Sequence, residues 1–209
     1  MPTVTSLEVQ KKNKRRVNVY LDGEFFAGME AISALSCGLK VGSVVSEETL
    51  RAAVFDSEKT AAFEKAVDYL SRSMKTQKQI IDYLSERGFD REVVVAVVDK
   101  LQSYRYVDDQ AYARLYAEQN SKTKGERRVR QELLQKGVCK EQAETSAAEN
   151  GANDEQNAAQ LAEKYMRGKQ PDVKTLARLQ RFLVSRGYDF DVVNPIVSRY
   201  RNQGEFETD

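Results

Sequence analysis

The residues best placed to do chemistry in this sequence are two runs of cations. Lys122, Lys124, Arg127, Arg128 and Arg130 form one run, and Lys11, Lys12, Lys14, Arg15 and Arg16 form the other. The chemistry open to them is electrostatic, because ammonium and guanidinium groups grip phosphate or carboxylate oxygens. The first run stands where a helix is expected to begin, and a cation there opposes the positive end of the helix dipole. An arrangement with a local cost points to a partner, although Glu126 and Glu132 dilute the charge. The second run falls between two expected strands. It reads either as a grip on phosphate or acidic protein, or as a solvated hairpin tip. If all five of its cations met phosphates, log K would fall with log salt at a slope of roughly −4.5.

Catalysis and metal binding have little to work with. The chain contains no histidine, which removes the usual general base and the commonest metal ligand. Cys37 and Cys139 stand too far apart for a metal-type spacing and suggest a reducing compartment. Asp108 and Asp109 are adjacent but have no third carboxylate nearby in sequence, so helix capping is the expected use of the pair. No glycine-rich phosphate loop or nucleophile elbow occurs, and neither a catalytic residue, a metal site nor a cofactor is expected. The net charge of +1 supplies no global field toward nucleic acid, so any such affinity must come from local patches. The longest apolar run, Val93–Val98, is too short to span a bilayer, and the N-terminus lacks an apolar secretion core. The expected location is the cytoplasm, with no membrane contact.

Three near-copies of one helical phrase dictate the elements that position these residues. Residues 80–89 read IIDYLSERGF, residues 129–138 VRQELLQKGV and residues 179–188 LQRFLVSRGY. The closing glycines, Gly88, Gly137 and Gly187, are 49 and then 50 residues apart, and each follows a cation: Arg87, Lys136, Arg186. Such a period implies stacked helical units, none of which buries its apolar face alone. The first unit should hold helices near 60–72, 77–87 and 91–103. A capping box of Thr76 and Gln79 opens its second helix, Gly88 is the left-handed stop, and Asp90 caps its third. Thr123 and Glu126 should form the equivalent box in the second unit, and Asp172 and Asp189 the caps in the third. Val93, Val94, Val97, Val98 and Leu101 share one helical face despite their strand-like composition. The stretch 140–150 has lost its bulky residues and is expected to be short, exposed or mobile. Pro195 is expected to start a late final helix capped by Asn194, since a proline deep in a helix costs about 3 kcal/mol.

The first 58 residues differ. Val4–Val9, Arg16–Leu21 and Phe25–Met29 read as three short strands, with Asp22-Gly23 as a type I′ turn. Helical turns over Glu30–Ser36 and a short helix from Ser46 to about Phe55 follow. The fold class is thus mainly α, with three tandem three-helix repeats forming an elongated curved array behind a small N-terminal β-hairpin/α segment. The domain bounds are 1–58, 59–109, 110–153 and 154–203, with a tail over 204–209.

The string Lys124-Gly-Glu-Arg-Arg-Val-Arg-Gln-Glu-Leu-Leu-Gln-Lys-Gly-Val138, preceded by Tyr106-Val-Asp-Asp-Gln-Ala-Tyr-Ala113, resembles the core of the RecX family of recombinase regulators. The stretch Tyr69–Phe89 and the ending Leu183-Val-Ser-Arg-Gly-Tyr188 fit the same pattern, so the resemblance covers about residues 60–202. It implies a non-enzymatic protein that binds the RecA filament along its groove and suppresses ATP hydrolysis and strand exchange in recombination, DNA repair and the SOS response; a monomer is expected. On charge placement, the two cation runs are the expected contacts to the recombinase or to DNA. The rival readings are a helical-repeat DNA-binding module and a generic protein-interaction scaffold.

Overall fold

The computed structural model describes residues 1–11 and 13–206. Three strands come first, β1 (Val4–Val9), β2 (Arg16–Leu21) and β3 (Glu24–Glu30), paired antiparallel in the order β1-β2-β3. Asp22 and Gly23 both have positive φ (46° and 89°), as the turn between β2 and β3 demands. A three-stranded sheet is marginal alone. It is completed by α1 (Ala31–Ser36) and the first half of α2 (Glu47–Leu70), with Val4, Val19, Met29, Leu39 and Leu50 in one core. The Ser57 hydroxyl on α2 accepts from the Glu30 amide at 2.5 Å and fixes the end of β3.

α2 departs from the sequence reading. A single helix of 24 residues replaces the expected break near Phe55, so the sheet's supporting helix and the first helix of repeat one are the same rod. Ser46 does cap it, accepting from the Thr49 amide at 3.1 Å. The stretch Asp56-Ser57-Glu58 imitates a helix start in sequence, yet it holds no glycine or proline. Lys59–Asp56 and Thr60–Asp56 contacts carry the helix through.

The rest of the described chain is helical: α3 (Gln77–Ser85), α4 (Arg91–Ser103), α5 (Asp109–Asn120), α6 (Glu126–Gln135), α7 (Lys140–Gly151), α8 (Asp154–Met166), α9 (Val173–Ser185) and α10 (Phe190–Phe206). Each repeat has its own apolar core. The first joins Ala62 and Ala66 of α2 to Ile80, Leu84 and the Val93–Leu101 face of α4. The second joins Ala113 and Ala117 to Val129, Leu133, Ala143 and Ala147. The third joins Ala158 and Ala162 to Leu179, Leu183, Tyr188, Val193 and Ile196. The small first-helix residues let neighbouring helices approach, and the branched residues of the second helices, and of the third helices α4 and α10, fill the space. Each fully buried Val, Leu or Ile contributes about 1.5–3 kcal/mol.

Three local expectations are corrected. α7 is neither short nor exposed: it runs 12 residues and buries Ala143, Ser146 and Ala147 against α5 and α6. Its small side chains permit close approach in place of a bulky face. α10 begins at Phe190 and carries Pro195 inside it, so Asn194 is not its cap. Val193, Ile196 and Val197 are buried on either side of the proline, and their burial offsets the lost backbone bond. The cap of α6 is Gly125, whereas the Thr123 hydroxyl bonds Asn120 O, so Thr123 and Glu126 form no box. The Thr76–Gln79 box is present in both directions, at 3.0 and 3.2 Å, and Asp172 caps α9 at 2.6 Å.

The chain divides into two compact units, Met1–Met74 with Ile80–Val107, and Lys75–Gln79 with the described residues from Asp108 onward.

Candidate partner-contact surface and the joints that position it

The second unit contains two joints built to one plan. In each, the head of one repeat's middle helix meets the tail of the next repeat's middle helix. At the first, the Thr76 hydroxyl donates to Lys136 O at 2.6 Å. At the second, the Gly125 amide donates to Arg186 O at 3.0 Å. An aspartate at the first position of the following helix completes each joint. Asp109 accepts from the Gln77 amide at 2.8 Å, and Asp154 accepts from the Glu126 amide at 2.9 Å. Each helix head thus receives its cap from the next repeat, which satisfies a donor that the helix itself leaves orphaned.

The glycine stops are explained by these joints as well as by their dihedrals. A Cβ on Gly137 would lie 2.3 Å from Lys78 Cβ, and one on Gly187 would lie 2.3 Å from Arg128 Cβ. One on Gly125 would meet the Gly187 carbonyl carbon and oxygen at 2.6 Å. Gly88 has the same left-handed φ (80°) but open space around it.

The capping aspartates bear the cost of burial. Burial lifts the Asp154 carboxyl to about 6, with the nearby Glu126 and Asp189 charges adding to it and the Glu126 amide pulling it down. Burial also raises Asp109, against the pull of the Gln77 amide. Beside Asp154, Tyr188 is fully buried, its hydroxyl has no hydrogen-bond partner among the described residues, and burial pushes it up to about 12.

The run at the head of α6 divides by role. Lys124 Nζ meets Glu132 Oε2 at 2.6 Å, and Arg128 Nε donates to Glu132 Oε1 at 2.8 Å. The Tyr116 hydroxyl adds a third bond to Glu132 at 2.6 Å. Burial alone would raise the Glu132 carboxyl, but these three hydrogen bonds outweigh it and bring the group down to about 2. Arg127 leaves this knot. Its guanidinium donates to Val184 O at 2.9 Å and stands 3.9 Å from Asp189. A cation there complements the negative end of α9, so part of the partner implied by the costly charge placement is the chain's own third repeat. Lys122 is exposed and Arg130 half-buried, and neither has a hydrogen bond or ion pair among the described residues.

Of the N-terminal run, Lys11, Lys14 and Arg15 lie between β1 and β2, and Arg16 opens β2. Lys11, Lys14 and Arg15 are exposed, whereas Arg16 turns onto the sheet, donating to Gly28 O at 2.7 Å with Glu30 at 4.0 Å. Lys12 lies outside the described residues. Among the described residues no cluster of His, Cys, Asp and Glu could hold a metal ion, and no helix is long and apolar enough to cross a membrane.

Sequence reasoning did not anticipate Glu132 as the centre of a charge knot, Asp109 as a cap for another repeat, or Asp154 in any role. Tyr165 stacks on Phe182 at 5.0 Å, and Tyr112 and Tyr116 stack on one helix at 6.0 Å, while Tyr104 and Tyr106 are more than half exposed.

The fold and its joints define a tandem three-helix-repeat protein with an N-terminal sheet. Family models match it in order: the regulatory protein RecX N-terminal domain over residues 2–46, and the first, second and third three-helix domains of RecX over 62–101, 108–146 and 153–197. The chain belongs to the RecX family of regulatory proteins. Regulatory protein RecX of Clostridium botulinum (strain Alaska E43 / Type E3) is 33% identical over 207 residues, covering 97% of this chain and 98% of the relative. That of Clostridium perfringens (strain 13 / Type A) is 31% identical, covering 99% and 100%. A crystal structure of regulatory protein RecX superposes with a TM-score of 0.67 at 27% identity, covering 94% of this chain and 98% of that one. The crystal structure of RecX from Lactobacillus salivarius shares the fold, with a TM-score of 0.62 at 21% identity over 69% of this chain and 97% of that one.

Proposed function

We propose that this chain is a non-enzymatic regulator of homologous recombination and DNA repair that binds along the groove of a RecA-type recombinase filament and inhibits its ATPase and strand exchange. The observation that carries the reading is the pair of like joints within a chain of the RecX family. Equivalent contacts at a fixed period suit a partner that is itself periodic, and linked weak contacts give avidity without a deep pocket. In this reading Lys122, Lys124, Arg127, Arg128 and Arg130 are the principal contacts to recombinase or filament-bound DNA, with Lys11, Lys12, Lys14, Arg15 and Arg16 as a second patch. The protein works as a monomer in the cytoplasm, without a cofactor.

Co-sedimentation with a recombinase filament assembled on single-stranded DNA tests the contacts. The chain should pellet with the filament, and the double substitution Lys122→Glu and Arg130→Glu should weaken this without unfolding the protein, since neither side chain is bonded internally among the described residues. Equal pelleting of variant and parent would remove these two residues from the contact surface.

A further inference from the structure

We propose that the second joint is a binding pocket for a phosphoryl group. A depression of about 280 Å3 is lined by Lys124 and Arg128 from the head of α6 and by Ser185 and Arg186 from the tail of α9. Three cations face one carboxylate there. Glu132 remains ionised at neutral pH and holds Lys124 and Arg128 in place, so the pocket keeps a net positive charge. Arg186 is not held by an ion pair among the described residues; its guanidinium lies over the Phe182 ring at 5.2 Å, which orients the group while leaving its N–H edge for a ligand. The carbonyls that end α9 would repel an anion, but the joint occupies two of them: Val184 O accepts from Arg127, and Arg186 O accepts from the Gly125 amide. A planar carboxylate is satisfied by one guanidinium fork, whereas a tetrahedral phosphoryl group offers several oxygens that can meet cations from different directions.

The first joint repeats the placement. Lys78 stands at the head of α3 against Gly137, and Lys136 follows the tail of α6, where its carbonyl accepts from Thr76 and its ammonium lies over the Tyr116 ring. The pocket shares Lys124 and Arg128 with the contact surface proposed above, and it rests on that surface being open to ligand.

The full chain is titrated with sodium phosphate at constant ionic strength, with sodium chloride as the reference, and followed by amide NMR shifts. Saturable shifts are expected around Gly125, Arg128 and Ser185–Gly187. Arg186→Gln should weaken phosphate binding by about tenfold, the effect of losing one charge-assisted hydrogen bond, and Lys164→Gln on the outside of α8 should not. The joint uses the backbone of Arg186 and not its guanidinium, so the variant should keep its fold by circular dichroism. Should it not, Arg128→Gln provides the same reading. A homothymidine oligonucleotide forms the second arm. If Arg186→Gln weakens both ligands, the pocket takes a strand's backbone phosphate; if it weakens phosphate alone, the pocket takes free phosphate or a phosphomonoester. A chloride-like response, or unchanged phosphate affinity in the variant, overturns the proposal. No recombinase is present, so this outcome and that of the filament experiment are independent.

Discussion

Asp154 illustrates how a single side chain can couple two repeats and cost stability in doing so. Its carboxylate caps α6 from a site where only 9% of the residue is exposed, and its folded value of about 6 lies above the ordinary carboxylate value of 3.8. A raised carboxyl favours the folded state while protonated. Its contribution is therefore present below about pH 4 and is lost as pH rises through 6, so the ionised form is a burden at pH 7. Asp154→Asn keeps an oxygen to accept from the Glu126 amide and removes the charge. Denaturant unfolding should find the variant more stable by about 2 kcal/mol at pH 7, with the difference closing toward pH 4. Glu132 has the opposite sign. Its depressed carboxyl adds stability above pH 4.5 that is lost as pH falls toward 2. Glu132→Gln should cost about 2 kcal/mol at pH 7, because Lys124 loses its charged partner in a half-buried site. Equal stability of Glu132→Gln and parent at pH 7 would show that solvent screens the knot.

At the scale of elements, the joints make the three glycine stops unequal. All three have φ between 80° and 95°, so alanine at any of them pays the left-handed cost of about 1–2 kcal/mol. Gly137 and Gly187 carry a further cost because the new Cβ collides with the preceding repeat. Thermal unfolding should therefore rank Gly88→Ala as mildest, with Gly137→Ala and Gly187→Ala about 1–3 kcal/mol worse; equal losses would remove the joints from the account. The stops, the Thr76 box, the Asp172 cap and the α4 valine face were legible in the sequence because each depends on local spacing. The joints were not, since Gly125, Asp109 and Asp154 act on residues 28 to more than 60 positions away. A cap supplied across repeats looks like an ordinary first-turn aspartate. α2 was misread because a polar stretch can continue a helix as readily as start one, and α7 because alanine buries by proximity rather than by bulk. For the site, the cation run was visible, but its division into a Glu132 knot, an α9 tether and two unbonded side chains depends on tertiary contacts.

For the molecule as a whole, two joints of one plan recur within the second unit, and the function proposed above rests on that recurrence in a chain of the RecX family. The most direct measurement is the DNA-dependent ATPase rate of the cognate recombinase, with single-stranded DNA held constant and this chain added in steps. The account predicts a saturable fall in rate, reached at lower protein by the parent than by the variant carrying Lys122→Glu and Arg130→Glu. A rate that stays level up to stoichiometric excess over recombinase would contradict it.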